Sequence, residues 1–233
     1  MDEDEQFNQA FGDHTGIDEY DRGYINDIKD NNSNTNKLVI RSDNADNFTD
    51  QAWQLLGRYI ANNTHLKTLD LDGSRLTDER MGISFSELDK SSLSELDIRN
   101  NPFGISGTRS MIPFLENSPY LSVINISDNN NFDSRCLKML VPTLHGRQNI
   151  ELFFRSCNIT DISALDTPAL FNLKSLALEN NNIGKEGCIT LANILQQEGS
   201  KLEYLDLDNT SIDDEGAEIL AEALKYNTKC PTP

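Results

Sequence analysis

The chain of 233 residues has no long apolar run. Its hydrophobic stretches are short and interrupted by charge, and nothing approaches the roughly 20 apolar residues that a membrane-spanning helix requires. A basic amino-terminal region is also missing. Met1 to Glu5 is acidic and no apolar segment follows, so no secretory signal is read and the chain is expected in the cytoplasm, with the nucleus left open. Cysteine is scarce: Cys136, Cys157, Cys188 and Cys230 lie far apart with no C-x-x-C pair, which argues against a zinc site or a redox motif and for buried, reduced thiols. Positive charge is scarce as well. Against 38 Asp and Glu stand 20 Lys and Arg, a net charge of −18. Nucleic acid and anionic membranes would repel such a chain at long range, whereas a basic protein surface would be attracted.

Catalytic groupings are equally wanting. His14, His65 and His145 are far apart, and none has a Ser or Cys beside it in a nucleophile elbow or an acid–base pair. There is no glycine-rich phosphate loop, because Gly104 with Gly107 and Gly184 with Gly187 recur at a regular period and open outer helices. Asp70 with Asp72, and Asp206 with Asp208, put two carboxylates on one strand face, but such pairs are ordinarily a solvated face rather than a cation site. The run from Asp128 to Asn131 lacks the glycine and distal glutamate of a calcium loop. No catalytic residue, metal or cofactor is therefore expected, and the chain is read as a non-enzyme.

What is present divides at about residue 36. Residues 1–36 hold ten acids against two bases and end in an Asn-rich run, so they are expected to form a mostly disordered acidic arm. Its apolar residues are the exception. Phe7, Phe11, Tyr20 and Tyr24, with Ile17, Ile25 and Ile28, are available to dock on the first repeat or to form a short helix.

From Leu38 onward the sequence repeats itself. The template L-x-x-L-x-L-x-x-N-x-L reads through Leu66, Leu69, Leu71, Ser74 and Leu76, and again through Leu93, Leu96, Ile98, Asn101 and Phe103. It continues through Leu121, Ile124, Ile126 and Asn129, with Phe132 one residue late, and through Leu152, Phe154, Cys157 and Ile159. Leu173, Leu176, Leu178, Asn181 and Ile183 give a fifth unit, and Leu202, Leu205, Leu207, Thr210 and Ile212 a sixth. A degenerate unit precedes them, because residues 48–60 align without a gap on residues 212–224; its strand is Leu38-Val39-Ile40, and its Trp53 is expected to cover the open end of the core. The array over residues 37–230 thus has about seven rungs, with residues 231–233 as a tail.

Each rung alternates its leucines to one side of a short strand and its intervening residues to the other. The Asn position turns the chain and its amide can satisfy backbone groups between stacked turns; Ser74, Cys157 and Thr210 are small enough to donate there instead. After the turn, Ile183 to Leu195 spaces its apolar residues as one helix face. The rung from Ile159 is short and interrupted by Pro168, so its outer segment is expected to be a short or 3₁₀ helix. This strand-plus-helix period resembles the ribonuclease-inhibitor-like leucine-rich-repeat family. The resemblance implies an α/β solenoid, a right-handed β-α superhelix bent into a horseshoe arc, with a parallel inner sheet and helices outside.

It also implies that partners bind the concave face. One column of that face would be Asp70, Asp97, Asn125, Phe153, Ala177 and Asp206; the next, Asp72, Arg99, Ser127, Arg155, Glu179 and Asp208, flanked among others by Val123 and Tyr204. Phe153 with Val123 and Ala177 is expected to make an apolar patch bordered by Arg99 and Arg155. Phe153, Arg155 and Tyr204 would then anchor a protein partner, since aromatic and Arg residues most often carry interface energy. The acids Asp70, Asp72, Asp97, Glu179, Asp206 and Asp208 would steer a basic one. The expected function is a non-catalytic protein-binding module or scaffold. Two alternatives are a GTPase-activating regulator of the Ran type, which shares the long repeat and an acidic tail and would act on a small GTPase, and a fragment of a larger leucine-rich-repeat receptor. Finally, Asn227-Thr-Lys-Cys230 matches Asn63-Thr-His-Leu66, so Cys230 would open a further repeat that Pro231 and Pro233 abort. An uncapped edge there would invite self-association.

Overall fold

A computed structural model describes residues 2–88, 90–170 and 172–227. The chain divides into two compact units, residues 1–121 and 122–233, with the boundary inside the repeat array. The expected repeat start at Cys230, with Pro231 and Pro233, lies outside the described residues.

The first unit opens with helices α1 (Glu3–Phe11) and α2 (Glu19–Lys29), in place of the mostly disordered arm that composition predicts. Composition misleads here because the acids sit where a helix wants them. Asp2 caps α1 in a capping box with Glu5, Asp18 caps α2, and Glu3, Asp4 and Glu5 occupy a first turn whose exposed N–H groups favour negative charge. The apolar residues then fall on one side: Phe11, Ile17, Ile25 and Ile28 are buried, with Phe11 ringed by Phe7, Phe48 and Tyr59 at centroid distances of 5.3, 5.4 and 6.5 Å. Lys29 joins the two helices through Asp4 at 2.7 Å and lies 5.4 Å above the Phe7 ring. These two helices, rather than Trp53 alone, cover the first rung; Trp53 is buried against Phe48 beneath them.

Strands β1 (Lys37–Val39), β2 (Thr68–Asp70) and β3 (Glu95–Asp97) come next in parallel register, Leu38 beside Leu69 beside Leu96. Between and after them run the short α3 (Ser42–Ala45), then α4 (Asp50–Asn62), α5 (Asp78–Ser86) and α6 (Ile105–Glu116). Gly57 lets α4 and α5 approach closely, because a Cβ there would lie 2.3 Å from the Ser84 carbonyl oxygen.

The second unit has β4 (Val123–Asn125), α7 (Ser134–Leu140), β5 (Ile150–Phe153), β6 (Leu173–Ala177), α8 (Gly184–Gln196), β7 (Tyr204–Asp206) and α9 (Asp214–Leu224). Its four strands are again parallel, with Ile124, Leu152, Leu176 and Leu205 in register. As expected for the rung interrupted by Pro168, the described residues between β5 and β6 form two 3₁₀ turns, Ser163–Leu165 and Pro168–Leu170, and no α-helix. In the last rung Leu205 and Leu207 are half-buried, whereas Leu176 and Leu178 one repeat earlier are fully buried.

Each turn is built the same way. The Asn101 amide donates to the Leu71, Ile98 and Arg99 carbonyls, each at 2.9 Å, and its oxygen accepts from the Leu76 N–H at 2.8 Å. Asn181 repeats this on Phe154 and Leu178 at 2.7 and 2.9 Å. The substitutes donate as expected: Ser74 Oγ to the Ile40 carbonyl at 2.6 Å, Cys157 Sγ to Ile126 at 3.5 Å and Thr210 Oγ1 to Leu207 at 2.6 Å. A second turn signal precedes that position. Gly73, Asn100, Asp128, Ser156, Asn180 and Asn209 all have φ between 50° and 66°, the left-handed region that glycine, asparagine and aspartate tolerate best. The Asn-richness of the chain is partly this requirement, met once in each of the six rungs from Leu66 on.

Candidate functional site

The strand register fixes what the inner face presents. In the first unit Val39, Asp70 and Asp97 stand side by side; in the second, Asn125, Phe153, Ala177 and Asp206 do. The side chains between the leucines are therefore aligned within each unit as the repeat spacing requires.

The first unit's acids do not form the free column that the spacing predicts. Asp70 is 6% exposed and accepts two hydrogen bonds from Arg41, at 2.5 and 3.0 Å, with Lys37 Nζ 3.6 Å away. Arg99 Nε lies 3.3 Å from Asp72 and 3.5 Å from Asp97. Burial works to raise the Asp70 pKa, but the Arg41 hydrogen bonds, the Asp72 backbone N–H and the Arg41 and Lys37 charges outweigh it, so the carboxyl stays below its ordinary value. At Asp97 burial wins and the carboxyl titrates higher, because Arg99 and its backbone N–H only partly offset desolvation and the nearby charges of Asp70 and Asp72. Two residues decisive here, Lys37 and Arg41, are missed by the repeat template. They belong to the degenerate rung, whose Leu38 registers with Leu69; extending the columns by that one rung reveals them.

In the second unit, four of the expected residues converge. Arg155 Nη2 donates to the Tyr204 hydroxyl at 3.0 Å and to Asp206 Oδ2 at 2.9 Å, and its Nε lies 3.3 Å from Glu179 Oε2. The Tyr204 hydroxyl in turn donates to Asp206 at 3.1 Å. Burial and that hydrogen bond raise the Tyr204 pKa, so the hydroxyl remains a neutral donor near pH 7. Tyr204 is nevertheless 43% exposed, and with the half-buried Phe153 it lines an open groove of about 390 Å³. Glu151 and Lys174, 3.1 Å apart, and Glu203 complete the lining. Asp208 is exposed one turn further on.

Ala177 departs from the expectation. It is fully buried, between its larger register neighbours Phe153 and Asp206. The apolar surface on these strands is therefore Phe153 with the half-buried Val123. Arg155 likewise is no free anchor: it is engaged on Glu179, Tyr204 and Asp206, and holds the exposed tyrosine in place.

Comparison with known proteins agrees with this construction. A family model described as Leucine Rich repeat matches residues 62–79, 169–192 and 200–221. The chain is 26% identical over 211 residues to a mouse (Mus musculus) protein described as NACHT, LRR and PYD domains-containing protein 5. That match takes in 87% of this chain but only 18% of the mouse protein's length. Among solved structures, the leiomodin-1 fragment titled Actin-Binding Site 2 superposes with a TM-score of 0.51 at 12% identity, over 61% of this chain and 82% of that one. An internalin from Listeria monocytogenes gives a TM-score of 0.46 at 22% identity, over 75% of this chain and 49% of that one. The strand–turn–helix repeats and the family match together define an α/β leucine-rich-repeat solenoid.

Proposed function

We propose that this protein is a non-catalytic module of the ribonuclease-inhibitor-like repeat type that binds a basic protein surface on its inner strands, with the contact centred on Phe153 and Tyr204. The observation that carries this reading is the groove of the second unit. A solvent-facing tyrosine, braced by an Arg155–Asp206–Glu179 network, stands beside a half-exposed phenylalanine. Partly exposed aromatics held in place by polar contacts are what interface hot spots are made of. Glu203 and Asp208, both exposed, lie on the same rung as Tyr204, and the net charge of −18 favours a basic partner.

The test is affinity capture with the intact chain and with a Phe153→Ala/Tyr204→Ala double variant, whose circular dichroism is checked first. A partner bound to the intact chain is expected to be lost by about tenfold or more, since truncating a hot-spot aromatic typically costs at least ~2 kcal/mol. An unchanged set of captured proteins contradicts the proposal.

A further inference from the structure

Among the described residues, strand β1 is an edge: it pairs with β2 on one side only. In a parallel ladder, successive residues direct their backbone groups to alternate sides. The Ile40 N–H donates to the Asp70 carbonyl at 2.9 Å and the Asn36 carbonyl accepts from the Thr68 N–H at 3.0 Å, so the even-numbered residues face β2. The N–H and C=O groups of Lys37 and Val39 therefore point the other way.

On that side runs a groove of about 770 Å³, bounded by β1 and by the first half of α2. Its far wall is aromatic. Tyr20, 71% exposed, meets Tyr24 edge to face with ring centroids 4.8 Å apart and hydroxyls 3.1 Å apart. The wall is anchored independently of anything in the groove: Ile25 and Ile28 of α2 are buried, and the Asn44 amide donates to Asp18 and Asp21 at 2.7 and 2.6 Å. The lining is also negatively biased. Asp18, Asp21 and Asp43 contribute carboxylates, while the two cations of the lining, Lys37 and Arg41, are turned toward Asp70. Burial and the neighbouring Asp18 push the Asp21 carboxyl up, a strain that an incoming cation relieves. Natural edges are blunted by short strands, proline, a bulge, an outward charge or a covering helix. β1 is short, three residues, and α2 stands across the groove from it, but it has neither proline nor bulge and its one lysine is paired.

We propose that the β1 edge accepts an extended, arginine-containing segment of a partner protein as an added strand. Its backbone would bond to Lys37 and Val39, and a guanidinium would lie against Tyr20 and Tyr24 beside Asp21. Main-chain bonds supply the affinity of strand addition, and alternate side-chain pockets its selectivity. Guanidinium groups favour aromatic faces flanked by carboxylates. This inference does not depend on Phe153 and Tyr204, which lie in the other unit.

The probe is an acetylated heptapeptide of alternating Arg and Val, compared with the same peptide N-methylated at alternate backbone amides, each titrated into the intact chain by calorimetry with hydrogen exchange followed by NMR. The unmodified peptide is expected to bind and to protect the Lys37 and Val39 amides. The N-methylated peptide, equal in charge, is expected to bind about tenfold more weakly, as the loss of one or two hydrogen bonds implies. Val39→Pro removes a groove-facing donor and leaves the β1–β2 bonds in place, and Tyr20→Ala removes the wall; both are expected to weaken the unmodified peptide without affecting capture of a partner that depends on Phe153. Equal binding of the two peptides reduces the effect to attraction by a polyanion and overturns the proposal, as does the absence of binding. The peptide comparison stands even if Val39→Pro fails to fold.

Discussion

Asp70 and Asp97 are register neighbours on adjacent strands, yet their environments move their acidities in opposite directions. Asp70 is more acidic in the fold than in the unfolded chain, so the stability it contributes is present above its unfolded pKa, about 3.9, and is lost as pH falls through its folded pKa. Asp97 is less acidic in the fold, so its charge costs stability at neutral pH, and that cost disappears as pH falls through its raised folded pKa. Asp97→Asn is therefore expected to raise the thermal midpoint at pH 7, with the gain vanishing by about pH 3, where the carboxyl is neutral in both states. A variant no more stable than the parent at pH 7 would show that Arg99 compensates the Asp97 charge fully. The positions of both acids are legible in the repeat. Their pairing is not, because Arg41, the residue that decides it, sits in the rung whose sequence has drifted furthest from the template.

At the scale of elements, the helices α1 and α2 show what composition conceals. Ten acids in 36 residues describe a chain that would stay unfolded if charge were the only consideration. Seven of them stand at helix starts, where they cap and complement the helix dipole, and Phe11, Ile25 and Ile28 bury fully. Phe11→Ala is expected to cost about 3–5 kcal/mol of stability, the usual range for emptying a buried phenylalanine site, as read from urea unfolding. It should also speed amide exchange through α1 and α2. A loss below about 1 kcal/mol, outside that range, would mean that α1 contributes little to the core. By contrast the rungs after Leu66 are legible almost residue by residue, because stacking one repeat on the next forces the leucines, the turn amide and the left-handed residue before it to recur. The 3₁₀ turns around Pro168 are legible for the same reason: too few residues separate Ile159 from Leu173 to close a full helix.

At the scale of the whole molecule, the template runs on from Leu66 to Ile212, whereas the chain packs as two compact units. The leucine period records only which residues are buried within a rung. The inner face is legible as an alignment of side chains but not as chemistry, since hydrogen bonds such as those of Arg155 to Tyr204 and Asp206 span 49 and 51 residues and depend on side-chain direction rather than spacing. The proposal that the inner strands around Phe153 and Tyr204 bind the partner is tested by hydrogen exchange on the intact chain with and without a captured partner. Slowed exchange confined to residues 150–155 and 203–208 is the predicted result. Protection confined to the helices α8 and α9, with those strands unchanged, would contradict it.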